Sequence, residues 1–376
     1  MDKTEQVSGG TLTETYKIPK LPPDVDLETK PILKALKEAH RHLAELKGKA
    51  ATIPNQGILI DTLVLQEAAA SSEIENIVTT QDELFRIDTQ KQLFPSPEAK
   101  EVALCGAALR LGFAHLLEKQ GTISNNNIIS IFQTLKRSTG GFRKTPGTAL
   151  KNDKTGEIVF VPPQSHVDIC EHMSALERFV NEPLPEDIDP IVAMALVHHQ
   201  FESIHPFPDG NGRIGRILNV LYLCKLELLD IPVLYISRYI TRNKSEYYRL
   251  LQLTRDTGEW EPWVLYMIKA VEHTSRETKV LVEEIRALMQ HYKTELRANH
   301  PKIYSQELIN NLFRHPYTRI EYVMEDLKVG RQTAARYLNA LAESGLLQKM
   351  KIGLNNYYIN APLVELLRDK SGIVQH

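Results

Sequence analysis

The strongest constraint in this chain is a bare turn wedged between two helical runs. The segment His205-Pro-Phe-Pro-Asp-Gly-Asn-Gly212 follows a helical pattern from Asp189 to Ile204, with Asp189 suited to the cap and Pro190 to the first helical position. A second apolar-periodic run continues from about Gly212 to Leu229. Asp-Gly and Asn-Gly are both turn dipeptides, and Gly210 and Gly212 let the backbone approach a ligand closely. The N–H groups of this turn, Asn211 included, therefore sit at a helix N-terminus, where unpaired donors and the helix dipole together favour an anion. Phosphate is the natural occupant. Arg213 and Arg216 share one face of the first helical turn, where cations oppose the dipole at ~0.3 to 1 kcal/mol each unless a polyphosphate reverses the sign. Asp209 stands beside the same point, and a hard carboxylate next to phosphates is how proteins usually hold Mg²⁺. His205 supplies an imidazole that can take a proton from an attacking hydroxyl.

The rest of the chain predicts a mainly α fold without βαβ alternation. Pro31 to Lys49, Gly57 to Val78, Glu98 to Lys119 and His166 to Val180 carry helical periodicity, after a Pro-punctuated arm over residues 1 to about 30. An isolated β-hairpin is predicted near residues 148 to 161, with Asn152 to Gly156 as its turn. Trp260 to Arg297 reads as one long helix or two. Helices Ser305 to Phe313, Ile320 to Leu327 and Gln332 to Glu343, then strands Leu346 to Ile352 and Asn356 to Ile359, read as helix-turn-helix plus a wing.

The formal net charge of -2 removes any global field favouring nucleic acid or an anionic membrane, so an anion site must be local. Cys105, Cys170 and Cys224 form no Cys-x-x-Cys pair, no run of ~20 apolar residues occurs, and the N-terminus carries acids where a signal peptide needs bases. A cytoplasmic location and no membrane partner are expected. His198, His199 and His205 come without His-Glu-x-x-His or a nearby cysteine, which argues against zinc. Gly-Asn-Gly-Arg lacks the Gly-Lys-Ser/Thr ending of a P-loop.

Residues 205 to 216 resemble, without a departure, the signature His-x-Phe-x-Asp/Glu-Gly-Asn-Gly-Arg-x-x-Arg of the Fic domain family. That resemblance implies a helical fold with a β-hairpin flap and transfer of AMP from ATP to Ser, Thr or Tyr hydroxyls of a protein. It makes His205 the general base, Asp209 the Mg²⁺ ligand, Gly210, Asn211 and Gly212 the phosphate cradle, and Arg213 and Arg216 the phosphate clamps, with Phe207 anchoring the loop. Gly141-Phe-Arg143 also resembles a family feature, and Asn243 falls in a stretch resembling the family's adenosine contact. Ser71-Ser-Glu-Ile-Glu75-Asn76 looks like the family's inhibitory pattern. By resemblance, Glu75 pairs with Arg216 and keeps ATP in an unproductive pose, while in some relatives the same glutamate assists removal of AMP. A plainer reading stays open: Ser72 and Glu75 have the spacing of a helix-start capping box.

The expected organisation is an N-terminal helical region over 1–97 with the inhibitory helix around 71–77, a catalytic core over 98–275, a linker helix over 276–300 and a winged-helix domain over 301–376. The expected partners are a target protein docking on the 148–161 hairpin and the chain itself as a target of modification. A homodimer, and DNA held by Arg331, Arg336, Lys349 and Lys351, stay open. The competing reading is a transcriptional regulator whose nucleotide fold only senses a ligand. Transfer of another nucleotide-linked group is a further alternative. The intact His205 favours the enzyme, since sensing has no use for a base.

Overall fold

The computed structural model describes residues 16–87, 94–151, 156–353 and 355–368. The first helices are α1 (Lys30–Ala50), α2 (Gly57–Ile74), α3 (Gln81–Phe85), α4 (Pro97–Glu118) and α5 (Asn125–Lys136). A short hairpin, β1 (Leu150–Lys151) and β2 (Ile158–Phe160), precedes α6 (His166–Asn181), α7 (Pro190–Ile204), α8 (Asn211–Lys225), α9 (Ile236–Arg242) and α10 (Lys244–Thr257). Then come α11 (Glu261–Asn299), α12 (Gln306–Arg314), β3 (Tyr317–Thr318), α13 (Ile320–Leu327), α14 (Arg331–Glu343), β4 (Gln348–Ile352), β5 (Asn355–Ile359) and α15 (Ala361–Leu367). The fold is mainly helical.

Helix α7 lies at the centre, with every residue from Ile191 to Ile204 buried. Asp189 caps it by accepting the Ile191 N–H at 2.8 Å, and Pro190 opens it. A helix apolar on all sides must be wrapped by others, and α6, α8 and α11 pack against it. The predicted long segment near the C-terminal half is one uninterrupted helix of 39 residues, α11. It runs straight through residue 276, where a core-to-linker boundary was expected. Helix α1 lies parallel to it, tied by Glu45–Lys279 at 2.7 Å and Lys49–Glu283 at 2.8 Å.

Two helices stop earlier than their periodicity suggested. Helix α2 ends at Ile74 rather than Val78, because Asn76 takes a left-handed φ of 61° and the Ile77 N–H turns back to the Ser72 carbonyl at 3.0 Å. Helix α8 ends at Lys225 rather than Leu229, where Glu227 adopts φ 57°. Both ends are closed by left-handed residues that are not glycine, so the composition gave no stop signal. The hairpin lies where it was expected, though residues 152–155 of its turn fall outside the described residues.

The C-terminal segment folds as helices α12 to α14 over an antiparallel sheet of order β3-β5-β4. It is joined to the N-terminal region by Arg314–Asp61 at 2.8 Å and by the Tyr317 hydroxyl on Asp82 at 2.6 Å. This contact reaches the start of α2, the helix whose far end enters the site.

Helices α4, α5 and α8 meet at Gly112, where an added Cβ would lie 2.6 Å from Leu221 Cδ1 and 2.9 Å from Ile131 Cδ1. Gly112→Val should destabilise the protein by about 1–3 kcal/mol through overpacking. Denaturant unfolding measures this, and an unchanged midpoint would show that the seam can open freely.

Candidate active site

Helix α7 ends on His205, which adopts a left-handed conformation (φ 49°, ψ 58°) and turns the chain into the loop. The loop is stitched from inside. Asn211 Oδ1 accepts the Phe207 N–H at 2.9 Å, and its amide donates back to the Phe207 carbonyl at 2.8 Å. Phe207 is fully buried, stacked on Phe132 at 4.3 Å and tilted against Phe142 at 5.3 Å. Asn211, placed in the cradle by resemblance, thus also braces the loop from within.

Gly210 precedes α8 with φ 81°, and the helix's first backbone bond runs from Ile214 N to Gly210 O at 3.0 Å. The N–H groups of Asn211, Gly212 and Arg213 are left in the open first turn, a ready anion site. The carboxylate of Glu75 leans over it. A Cβ on Gly212 would collide with Glu75 Oε1 and come within 2.9 Å of Arg216 Nη1, so any side chain here would have to displace the Glu75–Arg216 pair. Gly215 is under similar pressure, with Glu202 Oε1 at 2.9 Å and His198 Cε1 at 3.2 Å from a Cβ.

Arg216 is 1% exposed, and its guanidinium is met entirely by the end of α2. Its Nε donates to Ser71 Oγ at 2.8 Å, and its Nη2 donates to the Ser71 carbonyl at 2.9 Å and to Glu75 Oε1 at 2.7 Å. Burial by itself disfavours both charges, but their attraction prevails: Glu75 titrates below the usual carboxylate range and Arg216 is held more firmly protonated. Ser72 is buried in the last turn of α2, so the capping-box reading of Ser72 and Glu75 is excluded by position. Asn76 follows in its left-handed turn, its side-chain oxygen 3.1 Å from Lys244 Nζ.

Arg213 is engaged in the same way. Arg213 Nη1 lies 2.8 Å from Glu101 Oε2 on α4. Asp209 accepts the Gly210 N–H at 2.6 Å and the Lys136 ammonium at 2.7 Å; Lys136 outweighs burial and lowers its pKa. As a hard oxygen donor, two-thirds exposed at 66% beside the cradle, Asp209 fits a divalent cation. Asn243 stands between α9 and α10, and its amide donates to the Tyr239 carbonyl at 2.9 Å, a bond that runs to α9 rather than to the loop.

His205 is pushed down to about 4, chiefly by burial and further by Arg255 and Arg143. Its ring is therefore neutral at physiological pH, as a proton acceptor must be. Arg143, which the sequence offers only within a tripeptide resembling a family feature, donates from Nε to the His205 carbonyl at 2.9 Å, from its N–H to the Pro206 carbonyl at 2.8 Å, and from Nη2 to the Pro163 carbonyl. It ties the loop to the chain leaving the hairpin. On β2, Phe160 is buried under Arg255 at 3.9 Å and the Tyr16 ring at 5.6 Å, while Ile158 and Val159 face solvent.

Beneath the site lie two acids with no sequence signal. Burial raises Glu67 to about 8, against hydrogen bonds from the Ser237 hydroxyl and N–H, and raises Glu202 to about 7. His198 and His199 pack on Trp263 within the core. Among the described residues no group of three or more His, Cys, Asp or Glu could hold a metal, and no helix is long and apolar enough to cross a membrane. In the C-terminal segment Arg331 pairs with Glu321 at 2.9 Å and Lys349 with Asn339 at 2.8 Å, so both cations have internal partners.

Glu75→Gln should lower the unfolding free energy by about 1 kcal/mol at pH 7, less than for a fully buried broken pair because 35% of the Glu75 side chain reaches solvent. Its folded pKa is depressed, so this contribution is present above the ordinary value of 4.5 and fades as pH falls below it. Denaturant unfolding of both proteins at neutral and acid pH checks this; a gap unchanged by acid would contradict it.

Three family profiles match the chain in succession: Fic/DOC family N-terminal over residues 33–114, Fic/DOC family over 122–223, and the C-terminal domain described as protein adenylyltransferase SoFic-like over 288–363. The chain is 27% identical over 237 residues to a probable protein adenylyltransferase of Aquifex aeolicus, covering 62% of this chain and 65% of that one. It is 26% identical over 177 residues to the protein adenylyltransferase Fic of Nematostella vectensis, covering 47% and 39%. The chain thus spans less than two-thirds of the length of either relative. A Fic family protein from Desulfovibrio desulfuricans shares the fold, with a TM-score of 0.53 and 19% identity over 88% of this chain and 96% of that one. A Fic domain signalling protein of Bacteroides thetaiotaomicron aligns with a TM-score of 0.51 and 18% identity, over 66% and 96%.

Proposed function

Since the chain belongs to the Fic/DOC family by its N-terminal and central domains, we propose that it is a protein adenylyltransferase, moving AMP from ATP to a hydroxyl of a target protein. The observation that carries the reading is the neutral His205 beside an anion cradle whose two arginines are buried. ATP phosphates lie along the open turn of α8, held by Arg213, Arg216 and the N–H groups of Asn211 and Gly212. Asp209 would hold a divalent cation, which when bound would supply charge neutralisation for the phosphates. The target hydroxyl gives its proton to the His205 ring as its oxygen bonds to the α-phosphorus. The bond from that phosphorus to the bridging oxygen breaks, and pyrophosphate leaves.

The target docks along the β1–β2 hairpin, where an unpaired strand edge recruits an extended segment by backbone pairing and the exposed Ile158 and Val159 offer apolar contact. The resting enzyme is inhibited by its own Glu75. A carboxylate over Gly212 and on Arg216 stands where a phosphate oxygen belongs, so ATP enters without the Arg216 clamp. The C-terminal segment reads as a winged helix that selects partners, and the protein works in the cytoplasm.

Incubation with α-labelled ATP and Mg²⁺ tests this. Glu75→Gly should incorporate label into protein, itself included, at least about tenfold faster than wild type, matching the loss of one charge-assisted contact. Glu75→Gly/His205→Ala should incorporate none. Equal labelling by wild type and Glu75→Gly sinks the inhibition; labelling that survives loss of His205 removes it as the base. Because His205 is pushed down to about 4, its protonation should cut the rate of Glu75→Gly only as pH drops toward that value, leaving the His205 contribution flat through neutrality. A pH–rate profile with an inflection near the ordinary histidine value of ~6.5 would contradict this.

A further inference from the structure

Lys136 ends helix α5, and nothing in the sequence singled it out. Its stem lies across the cradle turn, with Cδ 3.6 Å from where a Cβ on Gly210 would sit. Its ammonium is 2.7 Å from Asp209 Oδ2 and 3.8 Å from Glu101 Oε2. Since Asp209 Oδ1 already takes the Gly210 N–H at 2.6 Å, both oxygens of that carboxylate are engaged. Glu101 Oε2 in turn holds Arg213 at 2.8 Å. Four charges thus alternate in sign across the phosphate side of the site: Asp209, Lys136, Glu101, Arg213.

We propose that Lys136 and Glu101 are positioning residues that link cation binding at Asp209 to phosphate binding at Arg213. A phosphate that takes Arg213 releases Glu101. The freed carboxylate, 3.8 Å from the Lys136 ammonium, draws it off Asp209 and opens Asp209 Oδ2 to the cation. Either ligand alone breaks the alternation and leaves one charge without its partner; both together leave Lys136 and Glu101 closed on each other. The two binding events are therefore cooperative, and by linkage each strengthens the other equally. This contact lies apart from Glu75 and Arg216, so it persists when the inhibitory carboxylate is removed. The inference rests on the reading of the site as one for a polyphosphate and a divalent cation.

The test is Mn²⁺ titration of the full-length, nucleotide-free protein by electron paramagnetic resonance. Lys136→Met should bind Mn²⁺ about threefold to fivefold more tightly than wild type, the range expected for removing a partly exposed ion pair. Lys136→Arg should stay near wild type. In parallel, calorimetry with ATP in excess EDTA should find Glu101→Gln binding about threefold more tightly than wild type, because Arg213 no longer has to be released. Unchanged or weaker Mn²⁺ binding by Lys136→Met, or unchanged metal-free ATP binding by Glu101→Gln, overturns the link. Asp209→Asn should lose the Mn²⁺ site; if it binds as well as wild type, Asp209 is not the cation ligand and the reading beneath the inference fails instead.

Discussion

A guanidinium buried to 1% exposure must be met by partners at every turn, and Arg216 is met by Ser71 and Glu75 from a helix that lies far away in sequence. Much of the structure serves to deliver those two residues. Helix α2 has to end at Ile74, its terminal carboxylate has to lean over the cradle, and Gly212 has to lack a side chain to let it in. Uncompensated, that buried charge would be strongly destabilising. The fold therefore satisfies this arginine with an internal carboxylate, which on the proposed function stands where a nucleotide phosphate would bind.

This arrangement extends beyond one pair. Arg213 is satisfied by Glu101 and Asp209 by Lys136, so the charged groups around the loop are neutralised from within by α2, α4 and α5 together. His205 is kept neutral by burial and by two nearby arginines, so its ring is unprotonated and free to receive a proton, though a weaker base than a free imidazole. Arg143 fixes the loop's carbonyls to the chain leaving the hairpin, so the His205 turn and the segment after β2 share one anchor. At its opposite end α2 is pinned to the C-terminal segment through Asp61 and Arg314.

Local signals were readable where they depended on neighbours in sequence. The cap at Asp189, the turn from Asp209 to Gly212 and the periodicity of α7 and α8 all follow from short-range chemistry. The unaided sequence also argued for a phosphate near Arg213 and Arg216. Helix α5 went unread because its polar start, Asn125-Asn-Asn, resembles a loop, and α10 because its charged residues mask the apolar face of Tyr247, Leu250 and Leu251. Glu101, Lys136, Glu67 and Glu202 were invisible for a different reason. A charged residue on a helix reads as solvent-facing until the tertiary fold surrounds it: Glu101, Lys136 and Glu67 find partners on other elements, and Glu202 is buried by the packing of its own central helix. The ends of α2 and α8 were misjudged because Asn76 and Glu227, rather than glycine, take the left-handed turn.

The central claim is that Glu75 and a nucleotide phosphate contend for one guanidinium. Calorimetric titration of ATP into wild type and Glu75→Gly tests it most directly, without depending on any target protein. The account predicts tighter binding by the variant, by about tenfold, as a charge-assisted hydrogen bond of ~1.5 kcal/mol is restored to the phosphate. Equal affinity in the two proteins would mean that Arg216 never belonged to the nucleotide.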